Sequence, residues 1–241
     1  MHLTGNPPHL SPHATPLADI DWRPGFRVIP SRFPSINLFD RVAKEEDFEA
    51  LYLLEAMTNP RLREEVGEIS LVPPEQRRYG QGFGPIMAAF THLNPEGSRF
   101  SDGGYGVFYA AEQAHTAIAE TCYHSARFMR ATSEAPQQLQ MRLYHVDVCG
   151  RLHDARAAAA SDPLQDPQHY GAAQAYAKTL REQGSLGLLY QSVRAPGSVC
   201  AAVFSTLALA NCRHARYLRY EWDGARVTPF YYDNASMPTL V

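Results

Sequence analysis

Three residues in the stretch Ser98–Met129, SRFSDGGYGVFYAAEQAHTAIAETCYHSARFM, are of types that do chemistry: Arg99, Tyr109 ten residues on, and Glu120 eleven residues after that. A Gly-rich loop, Asp102-Gly103-Gly104-Tyr105-Gly106, lies between the first two. Glycine has no Cβ, so such a loop lets backbone approach a ligand closely. An arginine beside it suits phosphate, because its planar fork carries five donors. Glu120 lies about 100° around a helix from Thr121, at the margin of an apolar stripe. A carboxylate there needs a partner or a purpose. The plain alternative is a strand–helix unit with a surface arginine and a glutamate in a salt bridge.

The elements that must position these side chains are a short strand and a helix. Val107-Phe108-Tyr109-Ala110-Ala111 reads as a buried strand, and Glu112 to Met129 as a helix. Small or apolar residues at Ala114, Ala117, Ile118, Thr121, Cys122, Ser125 and Phe128 follow the rhythm of a helix with one face on a core.

The segment SRFSDGGYGVFYAAEQAHTAIAET resembles the core of RES-domain proteins, in which an Arg-aromatic pair, a Gly-rich loop, a strand tyrosine and a helix glutamate recur in this order. Two further blocks extend the resemblance. FRVIPSRFPSINLFDRV is similar to the arginine-bearing first strand of the family. The run from the helix at Tyr170 through Gly184, Leu186–Tyr190 and Gln191-Ser192-Val193-Arg194 is similar to its third block.

The resemblance implies an α+β fold: an ADP-ribosyltransferase-like split, mostly antiparallel sheet with surrounding helices and a helical insertion over about 41–66. It implies a bacterial toxin, paired with an Xre-like antitoxin, that consumes NAD without a metal. It cleaves the nicotinamide–ribose bond, or transfers ADP-ribose to a cellular protein. Carried over residue by residue, it makes Glu120, Tyr109, Arg27 and Ser192 catalytic. Arg99, Arg32, Phe100 and Gly104 then bind substrate, with Arg32 the rival of Arg27 as the first-strand arginine. A homo-oligomer in the antitoxin complex is a further family expectation. The alternative is an inactive RES domain that binds only nucleotide or antitoxin; the occupied Arg, Tyr and Glu positions weigh against it.

Composition is compatible with this. The 241 residues suit one domain, expected over 23–241 behind a flexible tail over 1–22 rich in proline. A net charge of −3 argues against a general nucleic-acid or anionic-membrane binder, but leaves room for a local basic pocket. The four cysteines form no CxxC pair and read as reduced thiols of a cytoplasmic protein. No apolar run is long enough to span a membrane, and the amino terminus lacks a signal-peptide pattern.

The rest of the chain reads as strands at 26–29, 69–72, 139–148, 186–190 and 201–207, and helices at 41–65, 85–92 and 170–183. A turn and short return is expected at 149–154, an exposed helical stub at 155–169, and a terminal hairpin around Asp223-Gly224. Gly80, Gly82 and Gly84 have dinucleotide-fingerprint spacing, but no strand runs straight into them and no acid sits about 20 residues on within a βαβ unit. A loop reading is preferred. No GxSxG elbow is present to support a serine hydrolase.

Overall fold

The computed structural model describes residues 10–31, 38–41, 44, 46–47, 50, 67–232 and 238–240. Their alternating apolar patterns build one eight-stranded sheet, with strands β1 Leu17–Pro30, β2 Phe108–Ala111, β3 Gln137–Asp154, β4 Gly187–Gln191, β5 Val199–Val203, β6 Leu209–Trp222, β7 Val227–Tyr232 and β8 Pro238–Leu240. The spatial order is β1-β2-β5-β4-β3-β6-β7-β8, and β1 also pairs with β3. The pairings β1–β2, β2–β5, β5–β4, β4–β3 and β3–β1 therefore close a ring. All contacts are antiparallel except β3–β4, where His153 and Asp154 face Leu188 and Leu189.

Period-two alternation feeds two cores, one on each face. Phe108, Ala110, Leu189, Ala201 and Val203 point into the first. Ala111, Leu188, Tyr190, Cys200 and Ala202 point into the second. Among the described residues the helices α1 Leu38–Arg41, α2 Gly84–Thr91, α3 Ala114–Ala131 and α4 Gly171–Glu182 cover the sheet. Phe39 of α1 with Ile86, Met87 and Phe90 of α2 closes the first core. Ala117 and Ile118 of α3 with Ala173, Tyr176, Ala177 and Leu180 of α4 closes the second. Gly184, at φ +78, follows the end of α4 in the conformation that favours glycine. Burying a Phe or Leu side chain contributes roughly 1.5–3 kcal/mol, so these two layers fix the α+β architecture.

Several elements differ from the sequence reading. The expected tail over 1–22 is shorter: β1 begins at Leu17, and Leu17 to Trp22 pair with His153 to Val148. The partner strand supplies what local sequence does not. Residues 149–154 form no turn but continue β3, because β1 and then β4 satisfy their backbone. Ile69–Leu71 is a 3-10 turn, not a strand, held by the Glu68 side chain accepting from Ser70 N. In the segment read as an exposed stub, Leu164 and Gln165 are buried. The helical insertion at 41–66 falls almost wholly outside the described residues. No helix among them is long and apolar enough to cross a membrane.

Candidate active site

Tyr109 alternates with Phe108 along β2, so its phenol leaves the strand on the α3–α4 face. Its hydroxyl accepts from Phe100 N at 3.0 Å and shares a hydrogen bond with Ser98 Oγ at 2.8 Å. Burial pushes its pKa up to about 12, against these hydrogen bonds, so the phenol stays neutral. The loop 98–106 thus locks onto the strand through Tyr109. Gly106 is needed for that seating: a Cβ there would stand 2.2 Å from the Ala89 carbonyl oxygen.

Glu120 projects from α3, and Ser192 follows β4. Ser192 Oγ accepts from Arg194 N at 3.1 Å and Ala195 N at 2.9 Å. With both lone pairs engaged, its single proton goes to Glu120 Oε1 at 2.6 Å. The serine is 4% exposed, so this contact is well shielded. Tyr190 and Cys200 line the same place. Burial first, then the Glu120 charge, pushes the Cys200 thiol up to about 12. Burial first, and then Cys200 and the Glu120 charge, holds the Tyr190 phenol well above its ordinary range.

Arg99 is no surface residue. It is 6% exposed, donates to the carbonyls of Leu164 at 3.1 Å and Asp166 at 2.9 Å, and lies 4.7 Å from the centre of the Tyr170 ring. Its charge reaches Tyr109, Tyr190, Cys200 and His124. Arg127 approaches the same Tyr170 ring at 5.6 Å. Arg194 sits 3.3 Å from the Tyr123 ring centre and donates to the Pro167 carbonyl, with its Nε buried and unpartnered among the described residues. His124 stands among the three arginines. Loss of water around its ring first, then the charges of Arg194, Arg99 and Arg127, pushes its pKa down to about 4. Three guanidiniums, two tyrosine rings and a neutral imidazole thus lie beside the Glu120–Ser192 pair.

Of the residues expected from sequence, the structure gathers Glu120, Ser192, Tyr109 and Arg99. Arg27 is not brought to them. Its guanidinium donates to the Tyr109 carbonyl at 3.0 Å, lies 4.3 Å from the Phe108 ring centre and has Cys212 and Tyr144 as neighbours. Phe108, Tyr144 and Cys212 all belong to the opposite core. Phe100 is 1% exposed and packs on Tyr190 at 4.8 Å, so it supports the site from within the core instead of contacting a ligand. The Gly104 N–H is taken by Asp102 Oδ1 at 2.9 Å. Arg32 lies outside the described residues. Arg127, Arg194, His124, Tyr123 and Tyr170 were missed. Part of the signal was present: Glu120, His124 and Arg127 have the i, i+4, i+7 spacing of one helix face. Among the described residues no His, Cys, Asp and Glu side chains group as metal ligands.

Comparison with known proteins gives three findings. The RES domain profile matches residues 74–223 of this chain. The uncharacterized protein y4oC of Sinorhizobium fredii is 31% identical over 211 residues, which cover 87% of this chain and 88% of the relative. The crystal structure of the M. tuberculosis MbcT-MbcA toxin-antitoxin complex contains a chain that aligns with a TM-score of 0.44 at 13% identity, covering 86% of this chain and 88% of that one.

Proposed function

The chain belongs to the RES-domain family, and from that premise we propose that it cleaves NAD+ at the bond between nicotinamide and ribose. The observation that carries the reading is the Ser192–Glu120 contact of 2.6 Å beside three arginines. When the bond breaks, its electron pair goes to the nicotinamide nitrogen and neutralises the pyridinium. Nicotinamide therefore leaves without a proton. Positive charge builds on the ribose ring, and catalysis calls for a fixed anion there.

Glu120 supplies that anion and accepts from a ribose hydroxyl. Ser192 holds the carboxylate in place, since backbone N–H groups fix the serine's own orientation. Arg99, Arg127 and Arg194 hold the diphosphate through charge-assisted hydrogen bonds. Tyr109 braces the loop that carries Arg99 and presents a ring edge to the nicotinamide side. The acceptor oxygen, from water, phosphate or a protein side chain, bonds to the anomeric carbon and loses its proton to the solvent. An ADP-ribosyltransferase-like cleft is part of this reading.

The test is NAD+ consumption by the purified chain, followed by chromatography of nicotinamide and ADP-ribose products. The parent consumes NAD+, and Glu120→Gln loses at least about 10²-fold in rate with an unchanged melting temperature. Parent-rate turnover by that variant overturns the role of Glu120. Labelled NAD+ with and without cell lysate identifies the acceptor, since label on protein means transfer.

The family resemblance adds that the protein is a toxin restrained by an Xre-like antitoxin, in an oligomeric complex. Induction in bacteria should then deplete NAD+ and arrest growth. Co-expression of a cognate Xre-like antitoxin should reverse both.

A further inference from the structure

A cavity of about 240 Å³ lies beside Tyr105 and Gly106, and none of the Glu120 cluster lines it. Val72, Phe90, Leu186 and Phe204 form apolar walls. Leu71 and Leu207, two leucines left 38% and 52% exposed, stand on its lining. Its hydroxyls are already engaged: Ser185 Oγ with His153 and Gly187, Ser205 Oγ with Leu207 N. The charged group is Arg181, whose guanidinium sits 4.7 Å from the Tyr105 ring centre. No carboxylate among the described residues forms an ion pair with it.

We propose that this cavity is a second binding site, for a small apolar carboxylate, whose occupancy is transmitted to Tyr109. Apolar walls take the hydrocarbon part, and the unpaired guanidinium takes the carboxylate as a forked partner. The volume is below the ~300–1,000 Å³ of sites for drug-sized molecules, so the ligand is a small one.

The route to Tyr109 is short. The Tyr105 hydroxyl donates to the Phe100 carbonyl at 2.7 Å, and Phe100 N donates to the Tyr109 hydroxyl at 3.0 Å. Ser101 Oγ donates to the Tyr105 carbonyl at 2.6 Å and fixes the loop between them. A ligand that moves the Tyr105 ring therefore moves Phe100, the residue whose N–H orients the Tyr109 phenol.

The test uses the full chain labelled with ¹⁵N and needs no NAD+, so it is independent of the proposed reaction. The probe is 3-phenylpropionate, and its neutral isostere is 3-phenylpropionamide. Saturable amide shifts are expected at Tyr105, Gly106 and Phe204, continuing to Phe100. The acid should bind at least roughly ten-fold tighter than the amide, as one charge-assisted hydrogen bond provides. Arg181→Gln, at an exposed position, should remove that preference and keep the parent melting temperature. Absence of saturable shifts at the cavity residues, or equal binding of acid and amide by the parent, overturns the proposal.

Discussion

Arg27 and Tyr109 are joined through backbone and divided by side chain. The guanidinium donates to the Tyr109 carbonyl at 3.0 Å, while the phenol leaves β2 on the other face to meet Ser98 and Phe100. Arg27→Met should therefore lower stability by about 1–3 kcal/mol, through loss of that hydrogen bond and of the contact with Phe108. It should leave the KM for NAD+ unchanged. Tyr109→Phe should instead lower turnover, because the Phe100 N–H and Ser98 lose the group that fixes the loop. Denaturant melts and steady-state kinetics on both variants separate the two roles.

Ser192→Ala removes the donor to Glu120 and the acceptor for two backbone N–H groups. The expected cost is about 1–3 kcal/mol of stability, with a fall in turnover of roughly 10–10²-fold. Ser192→Thr keeps a hydroxyl and should recover part of the rate. A serine with no effect on turnover would mean that the carboxylate is held by other groups.

Among the described residues Arg127 makes no hydrogen bond to neighbouring carbonyls of the kind that hold Arg99 and Arg194, and its guanidinium is 5.6 Å from the Tyr170 ring centre. Arg127→Ala should fold normally and raise the KM for NAD+ about ten-fold, with little change in turnover. Initial rates over a range of NAD+ concentrations read this directly.

His124 offers a pH signature. Its folded pKa is about 4 against an ordinary 6.5. Between these values the unfolded chain binds more protons, so its contribution to stability rises with pH across that window and is lost as pH falls through it. An NMR titration should place the imidazole midpoint near the lower value. Inorganic pyrophosphate should move the midpoint upward, because an anion on the three arginines removes part of their repulsion.

The Gly-rich loop can be dissected by two matched substitutions. At Gly106 a Cβ would stand 2.2 Å from the Ala89 carbonyl and 2.5 Å from the Phe90 Cα, both backbone atoms. Gly106→Ala should cost about 1–3 kcal/mol. At Gly104 the nearest atom is a carboxylate oxygen of Asp102 at 3.1 Å, the movable end of a side chain. Gly104→Ala should melt within a few degrees of the parent.

Local signals carried much of this site in the sequence. The strand–helix unit from Phe108 to Ala131 declares itself by periodicity, and it places Tyr109 and Glu120. Ser192 came from a resemblance, and its partner became visible only when β4 was brought beside α3. The arginine cluster was harder. Arg194 and Arg127 are 67 residues apart, and the loop carrying Pro167 and Tyr170 draws them to one place. Arg27 sits on the other face for a related reason. A strand pattern tells which residues share a face, but not which core that face meets. The ends of β1 and β3 were also misjudged, because their regularity comes from pairing across more than a hundred residues.

The irregularity of β1 between Trp22 and Gly25 has a genetic consequence. Before it, Ala18, Ile20 and Trp22 pack on the first core; after it, Phe26 and Val28 pack on the second. Three residue steps from Trp22 to Gly25 oppose two from Val148 to Val146, so removing one codon from this short interval would restore regular pairing and keep Phe26 and Arg27 on their present faces. In-frame single-residue deletions at 23–25 should therefore be better tolerated than single-residue deletions elsewhere in β1, where pairing with β3 is one-to-one, as a deep mutational scan would register.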